Sequence, residues 1–252
     1  KAPDCVVMNV TVRSMKLHGG AFGSRGGYRP SREELDAENI EAVKQGAQGN
    51  LDRHIRNMAA FGMPVIVSIN RFTADTDGEL EALTAAARAG GAHAVTLTEV
   101  HANGGKGGEP LAKAVVSAIQ DHVAAGRPFT PLFLKDAPVM EKVNGIAKRI
   151  YKAEGVVVEA KAKKQLAAIE SWGYGHLPVC MAKTQYSFSH DAGQLGAPVG
   201  FTIPVREFRL NAGAGFIVAV LGNMMTMPGL PKRPAAADMD MDENGQLTGV
   251  FG

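Results

Sequence analysis

Three stretches of this chain place chemistry-bearing residues immediately after apolar runs. "SINRFTADT" (68–76) puts Phe72 where a buried strand would end. "TEVHANGGKGGE" (98–109) puts His101 and a glycine-rich loop at the end of the next strand, and "MKLHGG" (15–20) lies beyond the first. Parallel sheets bind ligands at the carboxyl ends of their strands. The three exits therefore predict one crevice, with Phe72 projecting into it free of packing obligations. The plainer alternative is three ordinary glycine-containing connections. A fourth stretch, "MAKTQYSFSHD" (181–191), is dense in hydroxyls after another strand. Its Lys183, Thr184 and Tyr186 suit either an anion site or a helix cap.

Standard chemical motifs are excluded. The one Gly-Lys pair, Gly105-Lys106, is followed by Gly107 where a phosphate loop needs Ser or Thr. There is no G-x-G-x-x-G. "DMDMDENG" sets Asp240, Asp242, Asn244 and Gly245 at calcium-loop spacing, but position twelve is Phe251 in place of a bidentate Glu. A turn ending in Asn244-Gly245 is predicted, and no metal site. The seven histidines lack zinc spacing. No nucleophile elbow is present, so a hydrogen-bonding role suits most of the histidines.

The elements that must position these residues alternate in period. "CVVMNVTV", "PVIVSIN" (64–70) and "AHAVTLT" (92–98) read as buried strands. Between and after them, three apolar stripes read as helices ending at glycines: Leu51-Ile55-Met58, Leu80-Leu83-Ala87 and Leu111-Val115-Ile119-Val123. Alternation of this kind predicts an α/β fold with a mostly parallel sheet flanked by helices. Beyond a soft boundary at Gly126-Arg127-Pro128 come a helical stripe (Val139, Val143, Ile146, Ile150), a strand "GVVVE", a helix over 161–172 and a strand "PVCMA". From 198 the pattern changes: "GFTIPVREFRL" and "AGFIVAVLG" are β-rich with no helix between them, and two domains are expected, 1–127 and 128–252. "GGAFGSRGGYRPS" (19–31) reads as a flexible insertion.

The bulk numbers agree with a globular α/β protein. Hydrophobic residues make up 45% and charged ones 21%, with a formal net charge of +2. No basic block suits nucleic acid, and no apolar run approaches the roughly 20 residues of a membrane span. Cys5 and Cys180 lie in apolar runs and predict buried free thiols in a cytoplasmic protein.

Taken in order, "MKLHGG", "FGMPVIVSINRFTADTDGEL", "NGGKGGE", "LPVCMAKTQYSFSHD", "GFTIPVREFRLNAGAGFIV" and "MTMPGLPKRPAAADMDMDENGQLTGVFG" resemble formate–tetrahydrofolate ligase, or 10-formyltetrahydrofolate synthetase. The resemblance runs from Lys1 to Gly252 and corresponds to the C-terminal portion of such a ligase. It implies a P-loop NTPase-like scaffold without its P-loop, which the family carries upstream of "MKLHGG". It implies ATP with Mg²⁺, tetrahydrofolate and formate as small-molecule partners, K⁺ or NH₄⁺ as activator, formyl phosphate as intermediate, and a tetramer. A missing N-terminal half is a further expected partner, and the chain alone is expected to be inactive.

The resemblance also assigns residues. Phe72 would stack on the pterin, and His101 stands where the family has a tryptophan, offering less apolar area. His18, Gly19 and Gly20 would lie on the nucleotide side. Pro228, Gly229, Leu230 and Pro231 would border the cleft, with Lys232 and Arg233 either drawing anions or simply solvated. Two other readings stand beside the ligase: a non-catalytic folate-binding or assembly module, and a different nucleotide-dependent enzyme on the same scaffold.

Overall fold

The computed structural model describes residues 2–23, 30–222 and 233–249. The chain divides into two compact units, Lys1–Gly222 and Asn223–Gly252. In the first, strands β1 (Val6–Val10), β2 (Val65–Asn70) and β3 (Ala94–Thr98) form a parallel sheet in the order β1-β2-β3. β2 is central, and Val65 through Ile69 are all buried, so it reads as a continuous apolar run, as a strand covered on both faces must. Ser68, the polar residue within that buried stretch, shares a hydrogen bond of 3.0 Å with Thr98 of β3.

Strand β1 is shorter than its apolar run suggests, and half-exposed. At Thr11 the backbone is still extended, and the Thr11 hydroxyl accepts the Ser14 N–H at 3.1 Å. That cap starts helix α1 (Val12–His18) and contributes about 1 kcal/mol. "MKLHGG" is therefore the far end of a helix, and it does not lie at a strand exit. Helix α2 (Arg32–Asp36) follows, capped by Ser31. A long helical segment then runs as α3 (Ile40–Gly46), a π-helical turn (Ala47–Leu51) and α4 (Asp52–Ala59).

α1 and α3 cross with their backbones touching. A Cβ on Gly19 would fall 2.6 Å from the Ala42 carbonyl carbon, and one on Gly46 would fall 2.8 Å from that of Met15. Only glycine fits at either position.

Helices α5 (Asp77–Ala89) and α7 (Glu109–Ala124) complete the flanks, with the single turn α6 (Val100–Asn103) and a 3₁₀ turn (Gly104–Gly108) between β3 and α7. Val12, Val43, Leu51, Ile55, Val67, Ile69 and Leu83 form one apolar core. The expected stripe on α7 holds only in part, since Val123 is exposed.

A second core gathers Val139, Val143, Leu166, Ile203, Val205, Phe208 and Ile217. It is built from α8 (Val139–Arg149), α9 (Ala160–Ser171), a parallel pair of β4 (Gly155–Val158) with β6 (Thr202–Val205), and a sheet ordered β5-β8-β7. In that sheet β5 (Val179–Ala182) is parallel to β8 (Phe216–Val220), and β7 (Glu207–Asn211) is antiparallel to it. No helix intervenes from β6 to β8, as the pattern predicts. The two cores lie on either side of Gly126–Pro128, inside the first compact unit.

Both cysteines are free, but the expectation that they are buried is overturned. Cys180 is exposed because β5 is an edge strand whose alternate side chains face outward, and Cys5 is only partly covered. No helix among the described residues is long and apolar enough to cross a membrane.

In the second unit, β9 (Asp240–Met241) and β10 (Leu247–Thr248) pair as a small antiparallel hairpin. The Asp242 carboxylate accepts the N–H groups of Asn244 and Gln246, and Gly245 takes a positive φ of 78°. The acidic run therefore forms its own turn. The loop residues Pro228, Gly229, Leu230 and Pro231, with Lys232, lie outside the described residues.

Candidate functional site

Neighbouring strands bring two of the singled-out residues to one edge. Asn70 of β2 is in register with Thr98 of β3, so Phe72 and His101 both leave the same carboxyl end of the sheet. The Phe72 N–H donates to the Asp75 carboxylate at 2.8 Å, and Asp75 N–H returns a bond to the Phe72 carbonyl at 3.0 Å. Asp75 is buried, and its pKa is raised by that burial.

The Phe72 ring is not free of packing. The Arg13 guanidinium of α1 sits 4.2 Å from its centroid, a cation–π contact. His101 is exposed on α6. Glu99 ties this turn to β2 through Arg71 at 3.5 Å. Among the described residues the Phe72 and His101 rings make no contact with each other.

His18 belongs to a different place. It stands six residues along α1 from Val12, about 9 Å of helical rise, and lines a cleft of about 390 Å³ with His54, Tyr151, Lys183 and Thr184. Gly196 holds one wall: its N–H donates to His18 Nδ1 at 3.2 Å, and its carbonyl accepts from Asn50 Nδ2 at 3.2 Å. Because Nδ1 accepts, the His18 proton resides on Nε2. Burial also lowers the His18 pKa, favouring that neutral form.

Gly19 and Gly20 have backbone reasons to be glycine. Gly19 lets α1 meet Ala42, and Gly20 takes a φ of 84° in the turn that ends the helix.

The opposite wall is the hydroxyl-rich segment. No helix lies between Lys183 and β6, so the capping alternative falls away. The Lys183 ammonium donates to the Ser187 carbonyl and, at 3.0 Å, to the Thr184 carbonyl, and lies 5.0 Å from the centre of the Tyr151 ring. Burial pulls the Lys183 pKa down to about 8 and pushes that of Tyr151 up to about 12, the latter helped by Cys180. The loop is braced from inside by Ser187 and Ser189, whose buried hydroxyls lie 3.1 Å apart.

The third wall comes from the π turn and α4, and sequence reasoning missed it. Asn50, His54 and Asn57 recur at helical spacing and line the cleft, next to the apolar stripe of Leu51, Ile55 and Met58 that drew the helix assignment, and Met58 lines the cleft with them. His54 packs on Phe188 with ring centroids 4.4 Å apart, while another edge of it remains open to solvent. Crowding by protein atoms, then the positive fields of His18, Lys183 and Arg53, push its pKa down to about 4. At neutral pH the cleft thus holds two neutral imidazoles and one ammonium, and its lining includes no Asp or Glu.

A family model described as formate–tetrahydrofolate ligase matches residues 1–251. The chain is 48% identical over 250 residues to proteins of that name from Ruegeria sp. (strain TM1040) and Roseobacter denitrificans, and 46% identical over 249 residues to one from Maricaulis maris. Each match takes in 99% of this chain and 42% of the relative, so the chain spans less than half the length of the curated proteins it matches. With the family model covering nearly every residue, this chain belongs to the formate–tetrahydrofolate ligase family.

Proposed function

We propose that the chain is a portion of an ATP-dependent ligase that joins formate to tetrahydrofolate, giving 10-formyltetrahydrofolate. In this reading a formate oxygen attacks the γ-phosphorus of ATP, ADP leaves, and formyl phosphate results. N10 of tetrahydrofolate then attacks the formyl carbon, loses its proton, and phosphate departs. Such chemistry runs on positioning and charge neutralisation and needs no protein nucleophile.

The observation that carries the proposal is that Phe72 and His101 follow adjacent strand ends in a chain of this family. Phe72 is held in place by Arg13 on one side and by the Asp75 turn beneath it, so its ring is oriented before a pterin arrives. His101 offers the second face. On the nucleotide side the weight falls on His18, since Gly19 and Gly20 are explained by the backbone.

Among the described residues no group of three or more His, Cys, Asp or Glu is placed to hold a metal. No residue of this chain is therefore assigned to Mg²⁺, which would arrive with ATP, or to K⁺ or NH₄⁺. Tetrameric assembly, a cytoplasmic location and an N-terminal partner half belong to the same proposal.

Titration of the chain with tetrahydrofolate tests the pterin assignment. Phe72→Ala should weaken binding and His101→Trp should strengthen it, each about fivefold, since a stacked aromatic contributes on the order of 1 kcal/mol. Unchanged affinity in both variants refutes the slot. The chain alone, lacking a phosphate loop, should release no ADP from ATP and formate.

A further inference from the structure

We infer that the cleft between α1, α4 and the Lys183 loop is a binding site for a phosphoryl group. It deepens the nucleotide-side reading of His18 and rests on it, but it makes its own demand: a discrete oxyanion pocket centred on Lys183 and His54.

Lys183, His18 and His54 converge on one cleft from three separate segments, and no lining residue is acidic. Arg53, beside His54 on α4, adds a guanidinium 5.6 Å from the Phe188 ring, and its Nη1 is buried with no hydrogen-bond partner. Proteins rarely gather cations without a counter-charge, because each member raises the cost of charging the others. The groups facing His54 are His18 from α1, Lys183 from the loop and Arg53 from its own helix, all cationic or able to become so. Asp52 offsets part of the Arg53 charge, but it is also bonded to Arg56 at 2.7 Å and does not line the cleft. The missing partner is an anion.

Its class follows from the donors. His18 offers Nε2–H because Gly196 fixes its tautomer. His54, neutral at pH 7, presents its ring to the same space, and an anion beside it would favour its protonated form. Lys183 brings a positive charge, and Thr184, Tyr151 and the Asn50 and Asn57 amides also line the space. A tetrahedral oxyanion with several acceptor oxygens uses such divergent donors, whereas a planar carboxylate would call for a forked guanidinium. Inorganic phosphate and the phosphates of a nucleotide share this chemistry. A volume of about 390 Å³ admits either.

The test is ³¹P NMR and calorimetric titration of the 252-residue chain with sodium phosphate, ADP and formate in separate arms. Phosphate should bind, formate should not compete at equal concentration, and Lys183→Met should weaken phosphate about tenfold or more, the loss expected for a charge-assisted bond. Lys183 also holds two loop carbonyls, so His54→Gln, at an exposed position, provides a variant that should fold normally. It should weaken phosphate several-fold. Saturating phosphate should also raise the His54 titration midpoint, read from its ring proton, by roughly one unit or more above about 4.

Phosphate binding that is absent, or unchanged in both variants, overturns the inference. ADP binding that survives Lys183→Met while phosphate fails to bind overturns it too, and leaves the nucleotide reading of His18 standing. Failure of tetrahydrofolate to bind, with phosphate bound as described, refutes the Phe72 slot alone.

Discussion

Replacing Lys16 with methionine should cost the fold about 3 kcal/mol, the low end of the range for breaking a buried ion pair. Lys16 and Glu79 have side chains 1% and 0% exposed, and their charged atoms lie 2.8 Å apart. The ammonium spends its remaining donors on the carbonyls of Leu35 at 3.1 Å and Ala37 at 2.8 Å. Glu79 also accepts the N–H of Asn39 at 2.7 Å and that of Thr76, whose hydroxyl caps α5. Methionine fills the volume but leaves a buried carboxylate facing only those two backbone donors. They offset part of the loss, which is why the low end is expected. In the double variant Lys16→Met/Glu79→Gln the stranded charge is gone, so its cost should fall short of the summed single costs by about 2 kcal/mol. Urea unfolding followed by circular dichroism measures all four corners of the cycle. Because the pair is buried, 0.5 M salt should leave the Lys16→Met effect unchanged. A cost under about 1 kcal/mol, or simple additivity, would refute the view that this pair fastens α1 to α5.

Gly46→Ala should destabilise by about 3 kcal/mol in the same assay, because its Cβ would collide with the Met15 backbone. Were α3 free of α1, alanine would instead stabilise a helix interior by up to about 1 kcal/mol. A pH series supplies another check. His54 is neutral in the fold down to about 4 and titrates near 6.5 when unfolded, so the unfolded chain binds more protons between those values. Stability contributed by neutral His54 is complete above pH 6.5 and is lost as the pH falls toward 4. His54→Gln should therefore show a shallower acid loss than the parent, and equal slopes would count against the assigned environment.

Much of the parallel sheet was legible because its signals are local. "PVIVSIN" is apolar at nearly every position, as a strand covered on both faces must be, and it became β2. Leu80, Leu83 and Ala87 share one face of α5 and are buried together. β1 was read too long because Thr11 and Val12 have strand propensity; the cap that ends the strand depends on Ser14, three residues on.

The cleft was half-legible. Lys183 and His18 could be singled out, but their meeting depends on Gly196, distant in sequence from His18. His54 was passed over because the polar side of an amphipathic helix ordinarily faces water. A histidine and two asparagines at i, i+4 and i+7 were the available signal. The π turn at Ala47–Leu51 carries Asn50 of this wall, as such turns often do at functional sites, and no local pattern announces it.

Helix α1 links the two candidate sites. Arg13 lies over Phe72 near its first turn, and His18 lines the cleft at its last residue, five residues and about 7.5 Å of rise apart. Between them Lys16 is locked to α5, and Gly19 and Gly46 bring α1 and α3 into backbone contact. A helix fixed at its middle and at its end has little freedom to rotate or slide, so the proposed pterin slot and the proposed phosphoryl pocket are held at a set separation. In a transfer between two bound groups, misplacement by an ångström costs about a hundredfold in rate. The buried Lys16–Glu79 pair therefore anchors the helix that carries residues of both proposed sites, where rigidity would matter to the chemistry.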